Sequence, residues 1–298
     1  IPRLADGKPN LQGIWQAQTT AWADYEDHVA ANGMLAGKSV VVGGTIPYLP
    51  GALAVRNENR KNRVTADAYR KCWLPGVPRI MTLDYPFQIF QSKDTIGMAF
   101  EWQLVYRLIH LDVTKHPEDY DSWMGDSRAR WEGDTLVIDV ADHNNNTWLD
   151  MSGNYHSDAL HVVERYTMSD ADTIQYEASL EDPKVFSRPW SIRFAFKRRT
   201  DRDRLFEYVC TAEVEEETGL FEREPRTWYP GDGSPIPTLP PSTWNSPRIP
   251  AVPSWNRTPD GKPNLSGFYV PDSGAANQGL EKREGSEPRA AVVTSLVP

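Results

Sequence analysis

The residues best suited to chemistry lie in one polar stretch near the middle of the chain, within residues 122–166. His156, Asp158 and His161 form an H-x-D-x-x-H pattern that leads into a predicted strand. Two imidazoles and a carboxylate this close in sequence can bind a metal ion or supply an acid–base pair near neutral pH. On an extended strand the first two side chains share a face and His161 points to the other, so a three-ligand site would need a turn among them.

No other ligand spacing in the sequence supports a metal site, so we predict none and leave the cofactor open. We instead predict acid–base chemistry in which His156 or His161 is the base and Asp158 is its orienting partner. The alternative role for at least one of the histidines is a hydrogen-bonded anchor of the polar stretch.

A carboxylate and a guanidinium lie on a second pattern, a predicted hairpin formed by residues 96–102 and 104–111. Glu101 belongs to the small and polar face of the first strand, and Arg107 lies on the second strand. If that face points inward, the barrel holds a cavity in which Glu101 is an acid and Arg107 is a clamp for an anion. If it points outward, both are ordinary surface groups. The sequence leaves the two orientations open.

Three more residues are predicted ligand contacts: Trp131, Trp148 and Asp150. Tryptophan rings can stack on a sugar or an aromatic ligand, although buried core positions are more common for this residue. Asp and Asn are frequent between residues 139 and 154, but their spacing does not follow the calcium-loop pattern. The sequence contains no Gly-rich phosphate loop, serine elbow or cysteine-nucleophile signature.

Strands must position these residues, because short alternating segments separated by tight turns follow one another from Pro86 onward. The predicted strands cover residues 88–91, 96–102, 104–111, 128–131, 135–140, 160–166, 173–180, 190–197 and 205–210. Nine or so short strands with almost no helix predict an all-β, mainly antiparallel barrel or sandwich. The even spacing of the strands favours a lipocalin-like barrel.

The sequence divides into three predicted regions. Residues 1–85 form an N-terminal wrapping segment with one short helix, which runs from Ala66 to Lys71 and is capped by Thr65. Residues 86–224 form the barrel core. Residues 225–298 form an extended arm and tail, which contain too many prolines to lie within a sheet. Such an arm would suit contacts in a homo-oligomer or in a larger envelope assembly.

One phrase occurs twice, as DGKPNLQG at residues 6–13 and as DGKPNLSG at residues 260–267. Asp-Gly and Pro-Asn pairs are typical of turns, and strand-like residues follow each copy. We interpret the copies as equivalent entry strands, or as clasps that bring the two chain ends to related places.

Composition excludes two classes of partner. The net charge of −9 and the pI near 5.2 argue against nucleic acid, because a nucleic-acid binder needs a basic face. The sequence has no run of about 18 apolar residues, so we predict that no segment spans a membrane.

Cysteine usage indicates a compartment. Cys72 and Cys210 could form a disulfide or remain as two buried thiols, and the sequence leaves both readings open. Two cysteines combined with 11 tryptophans and 24 prolines are typical of an exported, loop-rich protein. The chain opens at Ile1 without an initiator methionine, which fits a processed N-terminus or one part of a longer chain.

Several phrases of the sequence resemble a large group of exported bacterial proteins that has no agreed functional name. The phrases are Cys72-Trp73-Leu74-Pro75-Gly76, Trp123-Met124-Gly125-Asp126-Ser127, Arg130-Trp131-Glu132-Gly133-Asp134-Thr135-Leu136-Val137, Thr147-Trp148-Leu149-Asp150, His156-Ser157-Asp158-Ala159-Leu160-His161 with Glu164-Arg165, and Glu207-Tyr208-Val209-Cys210. The phrase at residues 6–11 is similar to the usual opening of the mature chain in that group. The resemblance implies a periplasmic, outer-surface or secreted location and brings no activity with it.

Together these patterns lead to one hypothesis and one alternative. The hypothesis is an exported β-barrel that binds a small organic or sugar-like ligand in its mouth, with hydrolase or lyase chemistry as its potential activity. The alternative is a structural or accessory subunit of a cell-envelope assembly without catalysis of its own. A binding protein without catalysis would share the pocket but lack a positioned acid–base pair.

Overall fold

Nine strands close into one barrel in the order in which they follow along the chain. Strand β9 pairs with β1 and closes the barrel. All neighbouring strands are antiparallel except β4 and β5, which are parallel and pair at His110 and Arg128. The predicted all-β, lipocalin-like barrel is therefore confirmed. The strands are β1 Gly13–Ala17, β2 Phe87–Gln91, β3 Thr95–Phe100, β4 Tyr106–His110, β5 Asp126–Glu132, β6 Thr135–Ala141, β7 His161–Asp170, β8 Thr173–Glu181 and β9 Trp190–Arg198.

The structure is a computed structural model that describes residues 1–30, 35–112, 115–118, 120–210 and 262. All of these except Lys262 belong to one compact unit, residues 1–226, and Lys262 belongs to a second unit, residues 227–298. The predicted arm and the second copy of the repeated phrase, apart from Lys262, lie outside the described residues. Among the described residues no helix is both long and apolar enough to cross a membrane.

The barrel is completed by a strand that lies outside the region predicted to form it. Strand β1 follows the first copy of the repeated phrase and pairs with both β2 and β9. The predicted boundary at residue 86 therefore separates β1 from the barrel to which it belongs. The predicted last strand, residues 205–210, lies outside the barrel and contributes one isolated bridge between Tyr208 and Trp102.

The two ends of the barrel differ in their connections. Tight turns at residues 92–94, 133–134 and 171–172 lie at one end, and Gly133 has φ +61° in the turn that it forms with Asp134. Antiparallel pairing places the long connections at the opposite end, which we call the loop end. These connections are residues 18–86, 142–160 and 182–189. The loop end thus receives the polar stretch that carries His156.

Helices cover part of the loop end, and the sequence analysis missed the longest one. They are α1 Pro50–Lys61, α2 Arg63–Ala66 and α3 Arg79–Thr82, with one turn of 3-10 helix at Ala68–Lys71. Helix α1 buries only Ala52 and Arg56, so it shows no apolar stripe from which a helix could be predicted. The predicted helix at 66–71 is replaced by α2 and the 3-10 turn, and Asp67 rather than Thr65 caps that turn.

Aromatic rings and one ion pair fill the middle of the barrel. The rings of Phe87 and Phe196 lie 5.0 Å apart, and those of Tyr176 and Phe196 lie 5.2 Å apart. Arg107 and Glu164 face each other within this core, with side-chain exposures of 2% and 0%. Outside the barrel, Cys72 and Cys210 form a disulfide with a Cα–Cα distance of 5.6 Å. The disulfide reading of the two cysteines is therefore confirmed.

Candidate functional site

His156 is a buried anchor of the polar stretch. The Nε2 atom of His156 lies 2.9 Å from Thr147 Oγ1, and Nδ1 lies 2.9 Å from the carbonyl oxygen of Ser157. Only 3% of the residue is exposed, and burial lowers the pKa of the imidazole because the charged form loses its hydration. These contacts match the alternative role predicted for one histidine, a hydrogen-bonded loop anchor.

Asp158 and His161 point to other partners, so the H-x-D-x-x-H pattern does not form one site. Asp158 is exposed and pairs with Lys184 at 2.5 Å, which corrects its predicted role as the orienting partner of a histidine. His161 begins β7, and its Nε2 atom lies 2.8 Å from Asp139 Oδ1. The pattern is split because His156 and Asp158 precede the strand and only His161 lies on it.

Glu101 and Arg107 are also separated, which corrects the predicted cavity between them. Glu101 accepts hydrogen bonds from Arg202 Nη1 at 2.8 Å and from the backbone nitrogen of Phe206 at 3.0 Å. Arg107 faces inward because it lies opposite the buried Met98 in the β3–β4 register. The apolar face of β3 points into the barrel, so the small face that precedes Glu101 points outward.

The three predicted ligand contacts have different surroundings. Trp131 is half-buried with the Lys8 amine 5.7 Å from its ring centre, and Trp148 is half-buried and bridged to Tyr155. Asp150 is fully buried and accepts hydrogen bonds from the backbone nitrogens of residues 25, 152 and 154. Burial and the nearby Asp24 carboxylate raise the pKa of Asp150 to about 7. Its contacts organise the loop end from within.

His161 and three other side chains do come together, and we call the four the His–Asp cluster: His116, Asp126, Asp139 and His161. His116 Nδ1 lies 2.7 Å from Asp126 Oδ2, and His116 Nε2 lies 2.9 Å from Asp139 Oδ1. The same Asp139 oxygen lies 2.8 Å from His161 Nε2. The cluster is thus one continuous chain of alternating carboxylates and imidazoles.

The barrel wall positions the cluster on its outer face. Asp126, Asp139 and His161 occupy outward positions at the start of β5, late in β6 and at the start of β7. His116 belongs to the connection that crosses from β4 to β5 and lies over this face. Side-chain exposure rises from 10% at Asp126 to 41% at His161. The His161 end of the chain is therefore the accessible one.

Electrostatics favour charge within the cluster. Burial opposes protonation of His116, but hydrogen bonds to Asp139 and Asp126 outweigh it and raise the pKa of the imidazole. Burial likewise opposes ionisation of Asp139, but its bonds to His161 and His116 lower the pKa of the carboxyl. Arg128 adds a two-point ion pair to Asp126, at 2.5 and 2.9 Å. This arrangement can exchange protons, orient a polar ligand or bind a cation.

Asp142 lies beside the cluster and extends its chemistry. His116, Asp126 and Asp142 each present one potential ligand atom, and these atoms lie within 4.8 Å of one another. The Oδ2 atom of Asp142 is buried without a hydrogen-bond partner among the described residues. These three residues are therefore the ones that could hold a metal ion.

Within the cluster, only His161 was predicted from the sequence as a site residue. His116, Asp126 and Asp139 are separated by 10 and 13 residues and lie on three different elements. Their spacing follows no ligand motif, because the β6–β7 register and the β4–β5 crossover bring them together. A signal in the sequence is the polar side chain of Asp139 between the apolar Ile138 and Val140 of a predicted strand.

Comparison with known proteins gives no match. No family model matches the chain, and no curated protein matches it. The phrases that resemble a group of exported bacterial proteins therefore remain the basis of a prediction.

Proposed function

We propose that this chain is an extracytoplasmic β-barrel protein that binds a small polar ligand at the His–Asp cluster and acts on it by acid–base chemistry. The observation that carries this proposal is the shared Asp139 oxygen, which lies 2.9 Å from His116 Nε2 and 2.8 Å from His161 Nε2. A histidine oriented by a carboxylate is the usual arrangement of a general base.

The roles within the cluster follow from exposure and bonding. His161 is the proposed base, because its ring is 41% exposed and Nδ1 is the nitrogen that does not engage Asp139. Asp139 is the orienting carboxylate, the role that the sequence had suggested for Asp158. His116 holds Asp139 in place from the other side, so a ligand that reaches His161 meets a fixed ring.

Two observations support a location outside the cytoplasm. The Cys72–Cys210 disulfide is of the kind that persists in oxidising compartments. The resemblance of residues 72–210 to exported bacterial proteins points to the same compartment.

Ligand binding is tested by saturation-transfer NMR of the full chain against a panel of monosaccharides, disaccharides and small carboxylic acids. We expect at least one class to give signals that disappear in His161→Gln and in Asp139→Asn. Asp158→Asn is the matched control, because it changes an exposed carboxylate on the same polar stretch outside the cluster. Signals that survive unchanged in both cluster variants would remove the proposal.

Catalysis is tested separately with chromogenic 4-nitrophenyl esters and glycosides. Turnover that falls about 100-fold or more in His161→Gln, with binding of the panel ligand retained, is the result expected for a general base. Equal turnover by the wild type and His161→Gln would refute the proposed acid–base chemistry, and the proposal would then be limited to ligand binding.

The filled barrel favours one alternative function, that of a structural or accessory subunit. Inward-facing rings and the Arg107–Glu164 pair fill the middle of the barrel among the described residues. Such a barrel is a rigid body suited to assembly. Light scattering of the full chain decides this point: a stable homo-oligomer supports the scaffold, whereas a monomer that binds a panel ligand supports the first proposal.

A further inference from the structure

We propose that His116, Asp126 and Asp142 form a binding site for a divalent first-row transition-metal ion on the outer face of the barrel. The three ligand atoms lie within 4.8 Å of one another. Around an ion with bond lengths near 2.0–2.2 Å, neighbouring ligand atoms lie about 3–4 Å apart. Small side-chain movements therefore suffice to close the three residues on one ion.

The clearest sign of a missing partner is Asp142. Its Oδ2 atom is buried without a hydrogen-bond partner among the described residues. Leaving a charged oxygen buried without a donor is costly, and buried polar atoms nearly always have a partner. A cation bound by this oxygen would supply the partner that the described residues lack.

Each ring nitrogen of His116 has a carboxylate beside it, so the ring can bind an ion through one nitrogen and donate from the other. Nδ1 faces Asp126 at 2.7 Å, while Nε2 faces Asp139 at 2.9 Å. Histidines that bind a metal through one nitrogen usually donate the other N–H to a carboxylate, which fixes the tautomer and the ring. Asp139 fits this outer role, and His161 holds Asp139 in turn.

Asp126 is supported in the same way. Arg128 donates to both carboxylate oxygens of Asp126, from Nη2 to Oδ1 at 2.9 Å and from Nε to Oδ2 at 2.5 Å, and His116 Nδ1 lies 2.7 Å from Oδ2. When an ion binds, Oδ2 and Nδ1 exchange their mutual hydrogen bond for bonds to the ion. Oδ1 keeps its contact with Arg128, so the carboxylate stays oriented.

Charge and donor type select the ion. Metal binding releases any extra proton from His116. With neutral imidazoles, Asp126, Asp139, Asp142 and Arg128 carry a net charge of minus two, which one divalent cation neutralises. One imidazole nitrogen and two carboxylate oxygens suit Zn²⁺ or Mn²⁺ better than Ca²⁺, which prefers oxygen ligands alone. Three protein ligands leave a position open for water or for a ligand.

This inference deepens the proposed function, because the ion would lie beside His161 in the same cluster. The two can still fail independently. The protein can fail to bind metal while binding of the panel ligand still depends on His161. Conversely, the protein can bind metal while binding of the panel ligand is the same in the wild type and in His161→Gln.

The test is calorimetric titration of the EDTA-treated, dialysed full chain with ZnCl₂ and with MnCl₂. We expect one ion per chain, and affinity lowered at least about 10–100-fold in Asp142→Asn, since loss of an outer partner alone costs this much. Asn tolerates the positive φ of +61° at this position, so the variant keeps the backbone. Co²⁺ absorption bands present in the wild type and lost in Asp142→Asn would report the ligand change directly.

Two variants complete the design. Asp158→Asn should bind metal as the wild type does, because Asp158 lies outside the site and pairs with Lys184. His116→Gln should lose binding while its thermal unfolding in EDTA remains a single transition. Absence of Zn²⁺ and Mn²⁺ binding by the wild type, or wild-type affinity in Asp142→Asn, overturns the site.

Discussion

Arg107 on β4 and Glu164 on β7 form an ion pair inside the barrel, where neither side chain is more than 2% exposed. Tyr166 and Tyr176 donate their hydroxyl hydrogens to Glu164 Oε1 at 3.0 and 2.9 Å. Arg107 Nε donates to Ser127 Oγ at 3.0 Å. The pair is thus the centre of a hydrogen-bonded network that ties β4, β5, β7 and β8 together.

Removing one charge of this pair should be costly. Glu164→Gln keeps an acceptor for the two tyrosines but leaves the Arg107 guanidinium buried without a counter-charge. We expect the free energy of unfolding to fall by about 3–5 kcal/mol, measured by urea denaturation. The double variant Arg107→Met with Glu164→Gln should recover part of this loss.

The control for this experiment is the same substitution on the outer face of the barrel. Glu177 pairs with Arg193 at 2.8 Å, and the Arg193 side chain is 58% exposed. Glu177→Gln should change the free energy of unfolding by no more than about 1 kcal/mol. A loss of similar size in both single variants would contradict the central role of the buried pair.

The disulfide should contribute strongly because it joins cysteines 138 residues apart. Closing so long a loop reduces the entropy of the unfolded chain and is worth about 5 kcal/mol in the chain-entropy model. We expect the Cys72→Ser, Cys210→Ser double variant to unfold at a clearly lower urea concentration than the oxidised wild type. The reduced wild type should match the variant, and an unchanged midpoint in both would refute the expectation.

Asp150 should make stability depend on pH near neutrality. Burial and Asp24 raise the pKa of Asp150 in the folded chain to about 7, from 3.8 in the unfolded chain. Between these pH values the folded state binds more protons than the unfolded state. The contribution of Asp150 to the free energy of unfolding is therefore full at low pH and is lost as pH rises towards 7. As pH rises across this window, the free energy of unfolding of the wild type should fall relative to that of Asp150→Asn, by up to about 1.4 kcal/mol per pH unit.

The matched control is Asp158→Asn, which alters an exposed carboxylate. The Lys184 amine lowers the pKa of Asp158, so this group stays ionised across the upper part of the window. The difference between the wild type and Asp158→Asn should therefore be flat between about pH 5 and pH 7. Parallel pH profiles for the Asp150 and Asp158 variants would show that Asp150 titrates normally.

His156 should change the pH dependence of stability in the direction opposite to that of Asp150. Burial lowers the pKa of His156 below 6.5, so as pH falls the unfolded state takes up a proton that the folded state does not. Its contribution is present above about pH 6.5 and is lost as pH falls below it, at up to about 1.4 kcal/mol per pH unit. The acid loss of stability should be smaller in His156→Gln, measured by thermal unfolding between about pH 4 and pH 8.

Thr147→Val tests whether titration is the cause. This variant removes the hydroxyl 2.9 Å from His156 Nε2 but keeps the imidazole. We expect about 1–3 kcal/mol lower stability at every pH, because a buried nitrogen loses its partner, together with the full acid slope of the wild type. An acid slope equal in the wild type and His156→Gln would assign the slope to other groups.

Much of the fold can be predicted from local patterns. Strands β3 and β9 alternate between buried and less buried residues along their lengths, and this alternation marks them in the sequence. The Gly133-Asp134 turn is equally local. Helix α1 was missed because only Ala52 and Arg56 are buried on it, so its packing leaves no periodic signal.

The sequence by itself determined eight of the nine barrel strands, the tight turns between them and the all-β class, whereas the structure decided that Cys72 and Cys210 are bridged. Tertiary structure alone decided which side chains meet. His156, Asp158 and His161 are neighbours in sequence yet have separate partners, whereas His116 and His161 share Asp139 from different elements. The physical reason is that sequence spacing fixes geometry only within one element. Contacts between elements depend on strand register and on the β4–β5 crossover, which the packing of the whole barrel sets.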